Sequence, residues 1–291
     1  PKVRQGSPTE VDFDSSEVAT PPLANPDRLT ASALLYQLHV ENNHLPFGRL
    51  KQAAKQGLLP KRVADCAIPL CAACQFSKAH RRSWRTKGKA GTGHLKEATA
   101  PGEIVHTDQI ICTTPGLVQQ AKGLPTNDRH QVATIFVDAF TGADYVVTNA
   151  STSAQDVIHA KKEFERWMQR FGITVQHYNA DNGVYASRKF KEACVHSGQT
   201  FSFCAVNHHG QNGIAEKRIQ DLVHQARAML IHANHRNPLV NDHLWPFALR
   251  LASEIGRCLP RVSSASSPLE ILSGVPVMPR LKSFKVFGCP S

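Results

Sequence analysis

The sequence predicts a mixed α/β layer fold preceded by a small helical metal-binding segment. Two observations carry this. From residue 102 onward, short apolar runs alternate with helical periodicity in the order β-β-β-α-β-α-β-α, the signature of a sheet covered by helices. Before it, His39 and His44 are followed at a distance by Cys71 and Cys74, a spacing that suits one tetrahedral metal ion.

Residues 1–29 are rich in Pro, Ser, Asp and Glu and read as a flexible leader. From Thr30 to about Arg62 the apolar residues Leu34, Leu35, Leu38, Leu45, Leu50, Ala53 and Ala54 recur at helical intervals, with a break near Pro46. This opens a zinc-binding segment over residues 30–85. The stretch Cys66–Lys96 holds no acidic residue and seven cationic ones, so residues 86–101 read as a basic linker.

Strands are then expected at Ile104–Cys112, Val132–Asp138 and Tyr145–Thr148, the last two joined by a turn around Thr141-Gly142. Thr113–Gln131 reads as an insertion between the first two. Ser153 with Asp156 caps a helix whose stripe is Val157, Phe164, Trp167, Met168 and Phe171 and which stops at Gly172. A strand at Ile173–Ala180, a helix at Ser187–Ser197, a strand at Thr200–Ala205 and a long helix at Gly213–Ala233 complete a core spanning residues 102–260. Trp245, Phe247 and Leu249 read as core or subunit interface. Residues 261–291 form a C-terminal extension.

Lys and Arg number 34 against 23 Asp and Glu, a net charge of +11, which favours a polyanionic partner. No apolar run is long enough for a membrane span. Eight cysteines, three clustered and five scattered, do not form a disulfide framework; they point to a reducing compartment with one metal site.

His39-x4-His44 and Cys71-x2-Cys74 supply two imidazoles and two thiolates, a closed set for structural zinc, with Cys71 and Cys74 expected to wrap it in a tight knuckle. Cys66 is a spare ligand outside that knuckle. Asp108 lies within the first strand, Asp181 follows the fourth directly in an Asp-Asn-Gly turn, and Glu216 begins the long helix. Glu216 shares a helical face with Ile219 and Val223, which is expected to look inward. Three such carboxylates at a sheet edge make a hard oxygen site for Mg²⁺ or Mn²⁺. The same residues also fit ordinary solvated positions. Asp138 likewise ends a strand and is given no catalytic role.

Four stretches together resemble the integrases of copia-type LTR retrotransposons, relatives of retroviral integrases. They are His39-x4-His44 with Cys71-Ala-Ala-Cys74 and Phe76-Ser-Lys78; His106-Thr-Asp108; Asp181-Asn-Gly183 with Gln211-Asn-Gly-Ile-Ala-Glu216; and Ser267-Pro-Leu-Glu270 leading to Val286-Phe-Gly-Cys289. The resemblance implies an RNase H-like core with a five-stranded mixed sheet and a D,D-35-E active site of Asp108, Asp181 and Glu216 holding Mg²⁺ or Mn²⁺. It places Zn²⁺ on His39, His44, Cys71 and Cys74. The interval from Asp181 to Glu216 holds 34 residues, and that from Asp108 to Asp181 holds 72, longer than is usual in the family.

The implied activity is divalent-metal-dependent strand transfer joining element DNA ends to target DNA; the alternative is a nuclease-only or catalytically inactive DNA-binding relic of the same fold. Arg81, Arg82 and Arg85, beside Trp84, together with Gln211, Asn212, Lys217 and Arg218, are candidates for DNA contacts; a solvated face is the competing reading. Implied partners are DNA, further copies of the chain and other polyprotein segments, with no membrane. The implied site of action is the nucleus, after a cytoplasmic virus-like particle.

Overall fold

The computed structural model describes residues 29–79, 97–120, 126–203, 212–260, 264–276 and 284–289. The leader to residue 28, His80, the basic run 81–96 and Gln211 lie outside them.

A five-stranded sheet of order β3-β2-β1-β4-β5 organises the chain. Its strands are β1 (Val105–Leu117), β2 (Arg129–Asp138), β3 (Asp144–Asn149), β4 (His177–Ala180) and β5 (Thr200–Phe203). β1–β2 and β2–β3 pair antiparallel; β1–β4 and β4–β5 pair parallel. The parallel pairs require helical crossovers, which are α4 (Ala154–Gln169) and α5 (Arg188–His196).

β2 shows how the sequence builds two cores at once. Its side chains alternate, so Ala133, Ile135 and Val137 enter one cluster and Phe136 the other. The Phe136 face is covered by α4 and α5 through Val157, Ala160, Phe164 and Phe190. The opposite face is covered by α6 (Gly213–Arg236) and α7 (Trp245–Cys258), through Leu222, Met229, Leu249 and Ile255. The N-terminal helices α1 (Ala31–Glu41) and α2 (Phe47–Lys55) add Leu34, Leu35, Leu50 and Ala54 to that same cluster. The N-terminal helices are therefore built onto the sheet through a continuous apolar layer.

Several local expectations change. The insertion expected at Thr113–Gln131 is in part strand: β1 runs on to Leu117, with a register shift between Ile111 and Gly116, and β2 begins at Arg129. At Gly116 a Cβ would stand 2.4 Å from Pro246 Cγ and 2.6 Å from Trp245 Nε1, so only glycine lets α7 approach, and the indole donates to Thr114 O at 2.9 Å. The fourth strand is shorter than Ile173–Ala180. Gly172, at φ +71°, reverses the chain after α4, and pairing starts where β1 offers partners, at Val105–Tyr178. α6 continues to Arg236 and ends before Asn237-Pro238, where the residue ahead of proline leaves helical space. Ser267-Pro-Leu-Glu270 forms the capping box of a short helix, α8 (Pro268–Ser273). No helix of the described residues is long and apolar enough to cross a membrane.

Candidate metal centres and active site

The four zinc candidates converge: their ligand atoms all lie within 4.8 Å of one another. His44 Nδ1 stands 3.2 Å from His39 Nε2, 3.5 Å from Cys71 Sγ and 3.6 Å from Cys74 Sγ, and Cys74 Sγ stands 3.3 Å from His39 Nε2. A tetrahedron with Zn–N near 2.1 Å and Zn–S near 2.3 Å has edges of about 3.3–3.8 Å. The donor set therefore fits zinc in both chemistry and size. The cysteines do not form a knuckle. Cys71 is the N-cap of α3 (Ala72–Lys78) and Cys74 lies in its first turn, so the three-residue spacing aligns both thiols on one helix face. Cys66 stays outside the set, its thiol donating to Ala31 O and Val63 O.

Surrounding bonds orient the ligands. His39 Nδ1 donates to Leu45 O at 2.8 Å, which leaves Nε2 as the lone-pair donor. The other ring nitrogen of His44, Nε2, lies 2.8 Å from His232 Nδ1 on α6. Burial pushes His44 below the ordinary histidine range, and burial together with the His44 ring pushes His232 down to about 4, so both are neutral near pH 7. The thiols split. Cys71 is pulled far below the usual thiol range, chiefly by its hydrogen bond from Cys74, while Cys74 is pushed up by its bond to Cys71 and by burial. A zinc ion would take both thiols as thiolates, Cys71 being the readier of the two.

The carboxylates are assembled by strand pairing. Thr107 pairs with Ala180, so Asp108 and Asp181 leave adjacent parallel strands side by side. The start of α6 is fastened to the same place, because Asn212 Nδ2 donates to Thr107 O at 3.2 Å, which brings Glu216 within the first turn above them. Burial raises the Asp108 carboxyl to about 6, against a backbone hydrogen bond from Gln109 that lowers it, and the charges of Asp181 and Glu216 raise it further. Carboxylate oxygens near enough for Asp181 and Glu216 to act on Asp108 suit a hard divalent cation. Among the described residues, His39, His44, Cys71 and Cys74 form the one cluster of metal-holding size; Asp108, Asp181 and Glu216 do not close into one.

Glu216 corrects one expectation. It is exposed rather than inward-facing. The buried side of α6 is set by Ala215, Leu222, Ala226, Met229 and Ala233, and Ile219 and Val223 lie on its half-buried shoulder. The helix thus leaves Glu216 exposed near the inner strands β1 and β4 and avoids the cost of burying an unpaired charge. Asp181 is likewise exposed. Asp138 is a structural group, fully buried, with Oδ1 accepting from Gly102 N at 2.8 Å and Oδ2 from Thr141 N and Oγ1 at 2.8 and 2.7 Å.

Two of the residues given to DNA have internal partners instead. The Asn212 amide is buried against β1. Arg218 turns its guanidinium onto Asp144, a carboxylate with no exposed surface, with Nε donating at 2.8 Å. Lys217 is exposed and bonds Asp221 at 2.8 Å. Arg81, Arg82, Arg85 and Gln211 lie outside the described residues. Sequence reasoning missed Tyr185, which is buried beneath the two aspartates, its hydroxyl 3.0 Å from Thr107 Oγ1 and its ionisation suppressed by burial. It also missed His232. Tyr185 carries a signal, lying just beyond Asp181-Asn-Gly; His232 carries none, since nothing in helical periodicity marks it.

No protein-family model matches the chain. Among solved structures, a chain of the simian T-cell lymphotropic virus intasome in complex with PP2A regulatory subunit B56 gamma is 17% identical. The match covers 65% of this chain and 60% of that one, with a TM-score of 0.48. The HTLV-2 integrase catalytic core domain in complex with magnesium is 19% identical over 60% of this chain and 98% of its own, with a TM-score of 0.41. The catalytic core domain of BIV integrase is 16% identical over 59% of this chain and 93% of its own, with a TM-score of 0.40. The chain spans only 60% of the first of these, the intasome chain.

Proposed function

We propose that the chain is the zinc-binding and catalytic portion of a copia-type retrotransposon integrase, which joins element DNA ends to target DNA. The observation that supports this reading is that the Thr107–Ala180 pairing sets Asp108 and Asp181 side by side on the inner strands β1 and β4, and the Asn212–Thr107 bond fastens the start of α6, whose first turn holds Glu216, beside them. The motifs His106-Thr-Asp108, Asp181-Asn-Gly183 and Gln211-Asn-Gly-Ile-Ala-Glu216 support it. So does the excess of Lys and Arg, through counterion release on phosphate binding.

Asp108, Asp181 and Glu216 would hold Mg²⁺ or Mn²⁺. When bound, such ions supply the Lewis acidity of phosphodiester chemistry, activating an attacking water or 3′-hydroxyl and offsetting charge on the leaving oxygen. Asp108, the least exposed of the three, fixes the position of the site through its rigid central strand. Asp181 and Glu216, both exposed, leave an open side from which a DNA strand can approach. Lys217, beside Glu216, is placed to meet a phosphate. His39, His44, Cys71 and Cys74 hold a structural Zn²⁺. Further copies of the chain and other polyprotein segments are the proposed partners, with action in the nucleus after assembly in a cytoplasmic particle.

The test is joining of a short duplex bearing the element's terminal sequence into plasmid DNA with Mg²⁺ or Mn²⁺, beside Asp181→Asn. Joining by the wild type that disappears in Asp181→Asn is the expected result. Cleavage without joining would assign a nuclease, and DNA binding without either reaction would assign an inactive relic.

A further inference from the structure

The zinc ligands belong to the N-terminal segment, yet one of them is held by α6, whose first turn carries Glu216. His44 presents Nδ1 to the other ligands; a metal there would take the Nδ1 lone pair and leave the Nε2 N–H to His232 Nδ1, 2.8 Å away. His232 lies about four and a half turns beyond Glu216 on the unbroken helix α6. The loop bearing His44 is unusual: Asn43 and His44 both take left-handed backbone angles, φ 55° and 58°, which non-glycine residues adopt at a cost. That loop is fastened to α6 a second time, by Gln225 Nε2 donating to Asn43 O at 3.0 Å. It is also fastened to the C-terminal segment, where Asn43 bonds Lys285 O and Phe287 N at 2.9 and 2.7 Å. α3, which carries both cysteines, packs along α6 as well.

We propose that His232 is an outer-shell partner of the zinc set, and that metal loading thereby fixes α6 against the N-terminal segment. Ligating histidines are oriented by what the second ring nitrogen bonds, and such partners commonly change metal affinity by 10–100-fold. Here that partner stands on a different structural unit from the four ligands. Closing the shell around His44 holds the ring in line with His232 and clamps the strained 43–44 loop to α6. The inference rests on the reading of His39, His44, Cys71 and Cys74 as a zinc site.

The experiment measures zinc affinity of the full chain by competition with a chromophoric chelator, together with amide hydrogen exchange along residues 222–236 with and without zinc. His232→Leu keeps bulk but removes the acceptor, His232→Gln restores an acceptor, and His235→Ala, on the exposed side of the same turn, is the control. Expected are a 10–100-fold loss of affinity in His232→Leu, most of it recovered in His232→Gln, and no change in His235→Ala. Zinc should slow exchange in 222–236 of the wild type and do so markedly less in His232→Leu. Should His232→Leu fail to fold, His232→Ala and His232→Gln carry the same comparison. Unchanged affinity and unchanged zinc-dependent protection in the acceptor-less variant would overturn the proposal while leaving the zinc site standing. A wild type that binds no zinc would overturn both.

Discussion

Arg218 and Asp144 form an ion pair in which the carboxylate is wholly buried and the guanidinium nearly so. Asp144 starts β3 and Arg218 lies in the second turn of α6, so the pair bolts the helix that presents Glu216 to the far edge of the sheet. Room for the guanidinium comes from Gly256, where a Cβ would sit 2.5 Å from it. Removing one partner of a buried pair leaves an uncompensated charge, typically costing about 3–5 kcal/mol. Arg218→Ala is expected to lower stability by about that amount in chemical denaturation. Lys217→Ala, one residue away and exposed, should change it by no more than about 0.5 kcal/mol. Equal, small effects would mean Arg218 is a surface cation after all.

The Asp108 carboxyl gives a pH dependence whose sign can be worked out. Its folded pKa, about 6, lies above the reference value of 3.8. The folded protein binds that proton more tightly, so the associated stability is present below the reference pKa and lost as pH rises through about 6. In protein without added Mg²⁺, Asp108→Asn should therefore stabilise the fold at pH 8 and leave it nearly unchanged at pH 4. Allowing for screening of a partly exposed group, the gain is on the order of 1–2 kcal/mol. Mg²⁺ at pH 8 should stabilise the wild type and not the variant. Thermal melts at both pH values, with and without Mg²⁺, decide it.

Zinc withdrawal should destabilise the N-terminal segment first. Wild type treated with a strong chelator is expected to lose thermal stability, and readdition of one equivalent of Zn²⁺ to restore it. Ion at 100 times its dissociation constant contributes about 2.7 kcal/mol. Cys74→Ser should abolish the response, whereas Cys66→Ser, outside the ligand shell, should keep it. A response that survives Cys74→Ser would remove this cysteine from the site.

Asp138 separates structural from catalytic carboxylates. Asp138→Ala strands the Gly102 and Thr141 amides and the Thr141 hydroxyl in a buried turn. Unsatisfied buried donors cost about 1–3 kcal/mol each, so a loss of at least about 3 kcal/mol is expected. Titration of the surviving folded fraction with Mn²⁺ should give wild-type affinity. Weakened Mn²⁺ binding would place Asp138 in the metal site.

Much of the site was legible in the sequence because its residues are fixed by local rules. The Asp181-Asn-Gly turn, the Ser153 cap, the apolar run Val132–Val137 and the spacing of the two ligand pairs are all short-range features. They located the strands, the helices and the four zinc candidates. Side-chain partnerships across the fold were not legible. Arg218 in the sequence is a cation beside Glu216, and only the packing of α6 against β3 gives it to Asp144. Periodicity put Glu216 with Ile219 and Val223, but the inward direction of a helix is set by which neighbours cover it, and they left Glu216 exposed. His232 shows the limit most clearly. Two rings 188 positions apart in the chain stand 2.8 Å apart, because such a contact depends on distance in space. The sequence by itself determined the element order and the chemistry of each donor; the tertiary structure decided which donors meet, since burial and long-range contact are properties of the packed layers and of no single segment.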